Sequence, residues 1–239
     1  MGSATADFTG SRDLDDAPLA RSEALLGAAV VGRLGELRIA VVGVGGVGSW
    51  CAEALVRTGV RRLVLVDDDR VAASNLNRQC EATEATVGAA KVEAMRERLL
   101  AIASDAEVSA VAKRFETAAD FAALGPLDAV VDAIDSVACK AELILAATAA
   151  GVPVVSSMGA ALRTDPTKVM LRPFDKVEGD GLARALRQRF KRLGRWPARR
   201  FVCAVSTEPP LTGAVRGSVM CVTAAFGLAL AAEVIRHAR

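Results

Sequence analysis

The chain has 239 residues, 52% of them hydrophobic, and its 30 basic and 28 acidic side chains leave a net charge of +2. That length buries a substantial core, and the composition excludes disorder for the bulk of the chain. Tyrosine is absent and histidine occurs once, near the C-terminus, which excludes a Tyr-Lys dehydrogenase couple and disfavours chemistry on a histidine base.

Residues 1 to about 18 carry Gly, Ser, Thr and acids without periodicity and read as a mobile leader. Residues 19–239 then read as one domain, opening with a helix over Arg21 to Leu34. Ile39 to Val42 is a β-branched run suited to a buried parallel strand, followed at once by Gly43-Val44-Gly45-Gly46-Val47-Gly48 and a helix from Ser49 to Thr58. Glycines there let the backbone turn sharply and approach an anion, with free N–H groups of the helix start facing it. A second strand, Leu63 to Val66, ends in Asp67-Asp68-Asp69; Asp67 stands 24 positions past Gly43, the spacing at which an acid meets a ribose hydroxyl in a βαβ unit. The pattern predicts nucleotide binding and leaves the nucleotide open.

Ser74-Asn75-Leu76-Asn77-Arg78-Gln79 is a polar loop, equally a plain turn. Lys91 opens a helix to Ala103, in a first turn where the helix dipole disfavours a cation unless a phosphate lies nearby. Strands are predicted at Val108 to Ala112, at Asp128 to Ser136, where the strand runs into an acidic loop, and at Val152 to Ser156, with helices at Ala118 to Leu124 and Lys140 to Ala150. This alternation predicts a doubly wound, Rossmann-like, mostly parallel sheet, with Gly43 to Gly48, Asp67, the Asn75 loop and Asp135 all at carboxyl ends of strands. Val169 to Leu171 is a further strand within an irregular C-terminal part that completes the sheet.

From Gly181 to Thr207 there is no acid but a basic run, Arg184, Arg187, Arg189, Lys191, Arg192, Arg195, Arg199 and Arg200, with Phe190 and Trp196 interleaved. It reads as a basic insert at about 181–200, either a solvated helix face or a surface for a polyanion. Val219 to Ala232 is the longest apolar stretch, short of the ~18–20 residues that cross a bilayer, and reads as a buried helix, not a membrane anchor. The five cysteines form no CxxC pair, which disfavours a zinc site; an odd number of thiols and no recognisable signal peptide point to the cytoplasm.

Five motifs in order, GVGGVGS (Gly43 to Ser49), VDDD (Val66 to Asp69), SNLNRQ (Ser74 to Gln79), VGAAK (Val87 to Lys91) and DAIDS (Asp132 to Ser136), resemble the ThiF/MoeB/HesA family of E1-like adenylating enzymes. Within it, GGVGSWCAEALVRTG, AIDSVACK, DPTKV and CAVSTE (Cys203 to Glu208) look most like the branch that dehydrates threonylcarbamoyladenosine in tRNA. The resemblance implies an ATP-dependent, magnesium-assisted enzyme that cyclises the modified adenosine through an acyl-adenylate, without zinc. The alternative it leaves is an adenylating activator of a ubiquitin-like sulfur-carrier protein, and a non-catalytic nucleotide-binding module is a third.

By the same resemblance Asp67 holds the ribose, and Gly43, Gly45, Gly46, Gly48 and Asp69 border the nucleotide. Asn75, Arg78 and Lys91 contact the phosphates, and Asp135 ligates Mg²⁺ bound with ATP. Arg78, Lys91 and Asp135 are the expected catalytic set. Asp132 either caps its loop or ligates directly, and Cys203 is either a nucleophile or a buried small hydrophobe. Ala24 stands where relatives carry an arginine that reaches the partner's ATP, with Arg21 one turn earlier. The implied partners are tRNA, a second copy in a homodimer, and a sulfur-acceptor protein.

Overall fold

The structure, a computed structural model, describes residues 17–213 and 217–238, so the leader expected over 1–18 lies outside it except for Ala17 and Pro18. The single helix expected from Arg21 to Leu34 is two, α1 (Ala20–Leu26) and α2 (Ala28–Glu36). Gly27 divides them: its φ of 89° is open to glycine but incompatible with a continuing helix.

β1 (Arg38–Val42), α3 (Gly48–Thr58), β2 (Arg62–Val66), α4 (Lys91–Ile102) and β3 (Glu107–Val111) follow in strict alternation. Next come α5 (Ala118–Ala123), β4 (Ala129–Asp132), α6 (Val137–Ala149) and β5 (Val154–Ser157). The chain closes with β6 (Val169–Pro173), α7 (Gly181–Leu193), β7 (Val202–Ser206) and α8 (Met220–His237). The strands form one sheet in the order β3-β2-β1-β4-β5-β7-β6, parallel except for β6, which runs antiparallel to β7 at the edge.

Strands this apolar are buried on both faces. In β1, Ile39 and Val41 enter the core under α3, α4 and α8, while Ala40 and Val42 enter the core under α5, α6 and α7. A helix layer on each face is thus a consequence of strands with no polar side. β7 is the strand absent from the sequence expectation. It wedges between β5 and β6, pairing Ser156 with Cys203 and Leu171 with Ala204.

The apolar stretch ending at Ala232 continues as helix to His237. At 18 residues α8 is long and apolar enough to cross a membrane by length and composition, yet half of it is buried, with Val222, Phe226 and Leu230 fully enclosed. Gly227 lets it seat on α3: a Cβ there would stand 2.4 Å from the Val47 carbonyl oxygen.

Candidate active site

The chain lays β2 and β3 on one side of β1, then β4 and β5 on the other, so the strand order reverses between β1 and β4. The crevice outside the carboxyl ends at such a switch point is where doubly wound sheets bind ligands. A cavity of about 580 Å³ fills it, lined from the segments after β1 to β5, with Leu182 of α7 and Thr223 of α8 closing its sides.

The glycine turn is shaped by close approaches. Gly43 has a φ of 91°, and a Cβ on it would lie 2.6 Å from the Ala133 carbonyl oxygen. At Gly48, the first residue of α3, a Cβ would fall 1.8 Å from the Gly43 carbonyl. Those two glycines permit the turn itself. Gly45 and Gly46 face the cavity, where a Cβ on Gly46 would press on Arg78 Cγ at 3.2 Å and on Thr223 at 3.3 Å.

Asp67 ties this turn to the end of β2. Its Oδ2 accepts the Val44 N–H at 2.7 Å and its Oδ1 the Asp69 N–H at 2.9 Å, leaving lone pairs free for a hydroxyl group. Asp67, Asp68 and Asp69 place carboxylate oxygens within 4.8 Å of one another. Lys91, only 6% exposed at the start of α4, donates from Nζ to Asp69 Oδ2 at 2.7 Å, and its N–H bonds the Asp69 carbonyl at 3.0 Å. Asp69 thereby offsets the cost of a buried cation at a helix N-terminus.

Arg78 borders the same cavity. Its Nη1 donates to the Ser74 carbonyl at 2.8 Å and to Asn77 Oδ1 at 2.9 Å, while Trp50 Nε1 donates to the Arg78 carbonyl at 2.9 Å. Among the described residues no carboxylate pairs with Arg78. Its full charge therefore remains available to an anion. Asn75 serves as a turn residue, its Oδ1 accepting the Ala72 N–H at 3.0 Å, and also lines the cavity. Asp135 stands exposed on the opposite rim with no side-chain partner among the described residues.

Asp132 belongs elsewhere. It is fully buried, accepting from Lys140 Nζ at 2.7 Å, from Ser156 Oγ at 2.7 Å and from the Ile134 N–H at 3.2 Å. Of its two alternatives the structural one holds, with an ion pair added. Cys203 is enclosed in β7, and burial pushes its thiol well above the ordinary range, which leaves it protonated and unreactive.

Several lining residues escaped sequence reasoning. Lys113, Arg114 and Phe115 follow β3, Ser157 ends β5, and Met158 to Ala161 follow it. The signal was present, since the carboxyl-end rule applies to every parallel strand. Arg163 and Asp180 hold the loop after β5: Arg163 bonds the Gly159 carbonyl and the Glu208 carbonyl (3.1 Å), and Asp180 accepts the Gly159 N–H (3.1 Å) while capping α7 at Ala183 (2.9 Å). Glu208 clamps Thr164 and Asp165 through their N–H groups at 2.9 to 3.1 Å, which explains its place in the CAVSTE segment.

Glu81 lies beneath the site, 2% exposed, and neither of its carboxylate oxygens is hydrogen-bonded among the described residues. Burial pushes its carboxyl up to about 7, against the weaker pull of its own backbone, Ser49 and Lys91.

The family model described as the ThiF family matches residues 19–238. The chain belongs to the ThiF family. Among ThiF-family relatives it is 40% identical over 176 residues to the tRNA threonylcarbamoyladenosine dehydratase of Bacillus subtilis, spanning 73% of this chain and 69% of that protein. It is 35% identical over 157 residues to the molybdopterin-synthase adenylyltransferase of Escherichia coli, 66% of this chain and 61% of that one. Its fold superposes on the crystal structure of Escherichia coli tRNA N6-threonylcarbamoyladenosine dehydratase in complex with ATP with a TM-score of 0.86 and 34% identity, covering 92% and 93% of the two chains. A second structure of that ThiF-family enzyme holds AMP.

Proposed function

We propose that the chain is an ATP-dependent dehydratase that cyclises threonylcarbamoyladenosine in tRNA. The observation that carries this reading is the convergence, on one cavity at the switch point, of the glycine turn, Asp67, Lys91, and an Arg78 and an Asp135 that have no charged partner among the described residues. Relatives 34 and 40% identical to the chain over the aligned residues carry that activity in their names, and one is seen with ATP.

In this reading the Asp67 carboxylate accepts from the ATP ribose, and Gly45 and Gly46 lie against the nucleotide. Arg78, a rigid fork, and Lys91, a point charge, bind phosphate oxygens together with Asn75. The substrate carboxylate forms a bond to the α-phosphorus as the bond to pyrophosphate breaks. A nitrogen of the same substrate then attacks the acyl carbon, loses its proton and releases AMP. Adenylation supplies a good leaving group, so little side-chain acid–base work is needed. Arg78 and Lys91 act by positioning and by stabilising charge on the five-coordinate phosphorus. Asp135, exposed and without a side-chain partner among the described residues, fits a Mg²⁺ held partly through water, which would supply further charge neutralisation at the phosphates.

The exposed basic side chains of α7 and its following turn, Arg184, Lys191, Arg192 and Arg199, support an RNA partner. Exposed Leu25, Val219, Met220 and Leu228 support a homodimer, and five free cysteines, four of them buried, support a reducing cytoplasm. Arg21 and Ala24 are both exposed on α1, outside the cavity's own lining, so an arginine acting there would act on a partner's site.

One assay tests the proposal. Pyrophosphate release is measured with ATP·Mg²⁺ and either tRNA bearing threonylcarbamoyladenosine or a sulfur-carrier protein. Release with the tRNA is expected. Release with the carrier alone would assign the chain to the sulfur-carrier activators, and none with either would leave a binding module.

A further inference from the structure

A second cavity, of about 440 Å³, lies at the far end of the molecule. Phe174 follows β6 and Phe201 precedes β7, and they meet at the amino end of β7, where the Phe174 N–H bonds the Phe201 carbonyl at 3.0 Å. The first cavity opens at the carboxyl ends of the parallel strands, so the two sit at opposite rims of the sheet. Helix α7 joins them. Its Leu182 lines the first cavity, while its Arg187 and the turn after its C-terminal Leu193 line the second.

The walls of this cavity are aromatic and basic. Phe174 and Phe201 stack with ring centres 4.7 Å apart, and the Arg187 guanidinium lies over Phe174 at 4.9 Å. Trp196 packs on fully buried Phe190 at 5.8 Å yet remains 59% exposed. An indole with one side braced and the other open is a stacking platform. Arg199 and Arg200 stand exposed at the mouth; the one acid in the lining, Asp175, is 3.6 Å from Arg200.

We propose that this cavity takes an unpaired nucleotide of the RNA substrate, its base stacked on Trp196 and its phosphate held by Arg199 and Arg200. Unstacked bases are what proteins seize in RNA, because every base has a π-face to stack and a charged phosphate beside it. The exposed guanidinium groups at the mouth, opposed in the lining by Asp175 alone, leave a net positive edge that complements the phosphate beside such a base. The inference rests on the RNA reading above and deepens it: α7 becomes a spacer that holds a bound nucleotide several positions away from the one that reacts.

The test measures binding of tRNA bearing threonylcarbamoyladenosine to the whole protein, as Trp196→Leu, Trp196→Phe and the Arg199→Gln/Arg200→Gln pair, over a range of salt. Trp196→Leu should weaken binding about tenfold or more, as truncating a stacking aromatic does, and should leave the salt slope unchanged. Trp196→Phe should restore most of the affinity, and the arginine pair should flatten the slope. Penta-adenylate should quench the tryptophan emission of the wild type and not that of Trp196→Leu. Wild-type affinity in Trp196→Leu, or loss that Trp196→Phe does not rescue, would overturn the site. Failure of the wild type to bind the tRNA at all would instead overturn the RNA reading itself.

Discussion

Lys140 sets its ammonium nitrogen 2.7 Å from the Asp132 carboxylate with neither side chain exposed to solvent. The pair joins the end of β4 to the first turns of α6, and Ser156 Oγ adds a hydrogen bond from β5. It holds the two strands whose carboxyl ends carry Asp135 and Ser157. The relation is structural support for the site's far wall.

Removing one partner leaves a buried charge with nothing to neutralise it. Lys140→Met should therefore destabilise the fold by about 3–5 kcal/mol, and Asp132→Asn combined with Lys140→Met should recover much of that. Urea unfolding of the single and double variants checks it. A single variant as stable as the wild type would show the pair to be dispensable.

Arg78 and Lys91 differ from that pair in facing the cavity. Arg78→Ala and Lys91→Ala should each lower ATP–pyrophosphate exchange roughly 100-fold or more while the melting temperature stays within a few degrees. An unchanged exchange rate in either would remove that residue from the phosphate site.

The basic run divides by its contacts. Arg187 donates to the carbonyls of Phe174 (2.8 Å) and Val177 (2.5 Å), so its charge is committed to the fold. Arg184, Lys191 and Arg192 are exposed, and no carboxylate pairs with them among the described residues. Replacing those three with Gln should reduce the salt slope of tRNA binding by up to about 2–3, whereas Arg187→Gln should lower stability and leave the slope alone. Filter binding at several salt concentrations separates the two classes.

Glu81 predicts a pH dependence with a definite sign. Its carboxyl is pushed up to about 7 in the folded chain, above the unfolded value, so the folded state holds the extra proton between those limits. Stability from this group is full at low pH and is lost as pH rises through 7, by about 3 kcal/mol in all. Glu81→Gln should match the wild type near pH 4 and exceed it above pH 7, read from melting temperatures across that range. Equal curves would mean the carboxyl finds water or a partner.

Much of the site was legible before the fold was known because its parts are local. A β-branched strand, a glycine turn, a helix and an acid lie within Arg38 to Asp69, and their backbone demands are written in residue types. What escaped depends on distant contacts. Nothing eight residues upstream of Lys140 announces that Asp132 will be sealed with it, and the charge of Arg187 looks like its neighbours' until Phe174 is packed against it. Gly27 breaks the first helix through one positive φ, a freedom that glycine has at every position and uses at few. β7 was missed for the opposite reason. Its Cys-Ala-Val core is short and lacks alternation, and only pairing with β5 and β6 makes it a strand.

The seat of Gly227 on the Val47 carbonyl, together with Thr223 beside Gly46, has a consequence for biosynthesis. The glycine loop is made well before its backing, so a nascent chain extended only as far as β7 lacks the helix that packs behind that loop. Competence to hold a nucleotide arrives after translation has passed α8, and a stalled or clipped product lacking that helix would be born unable to bind.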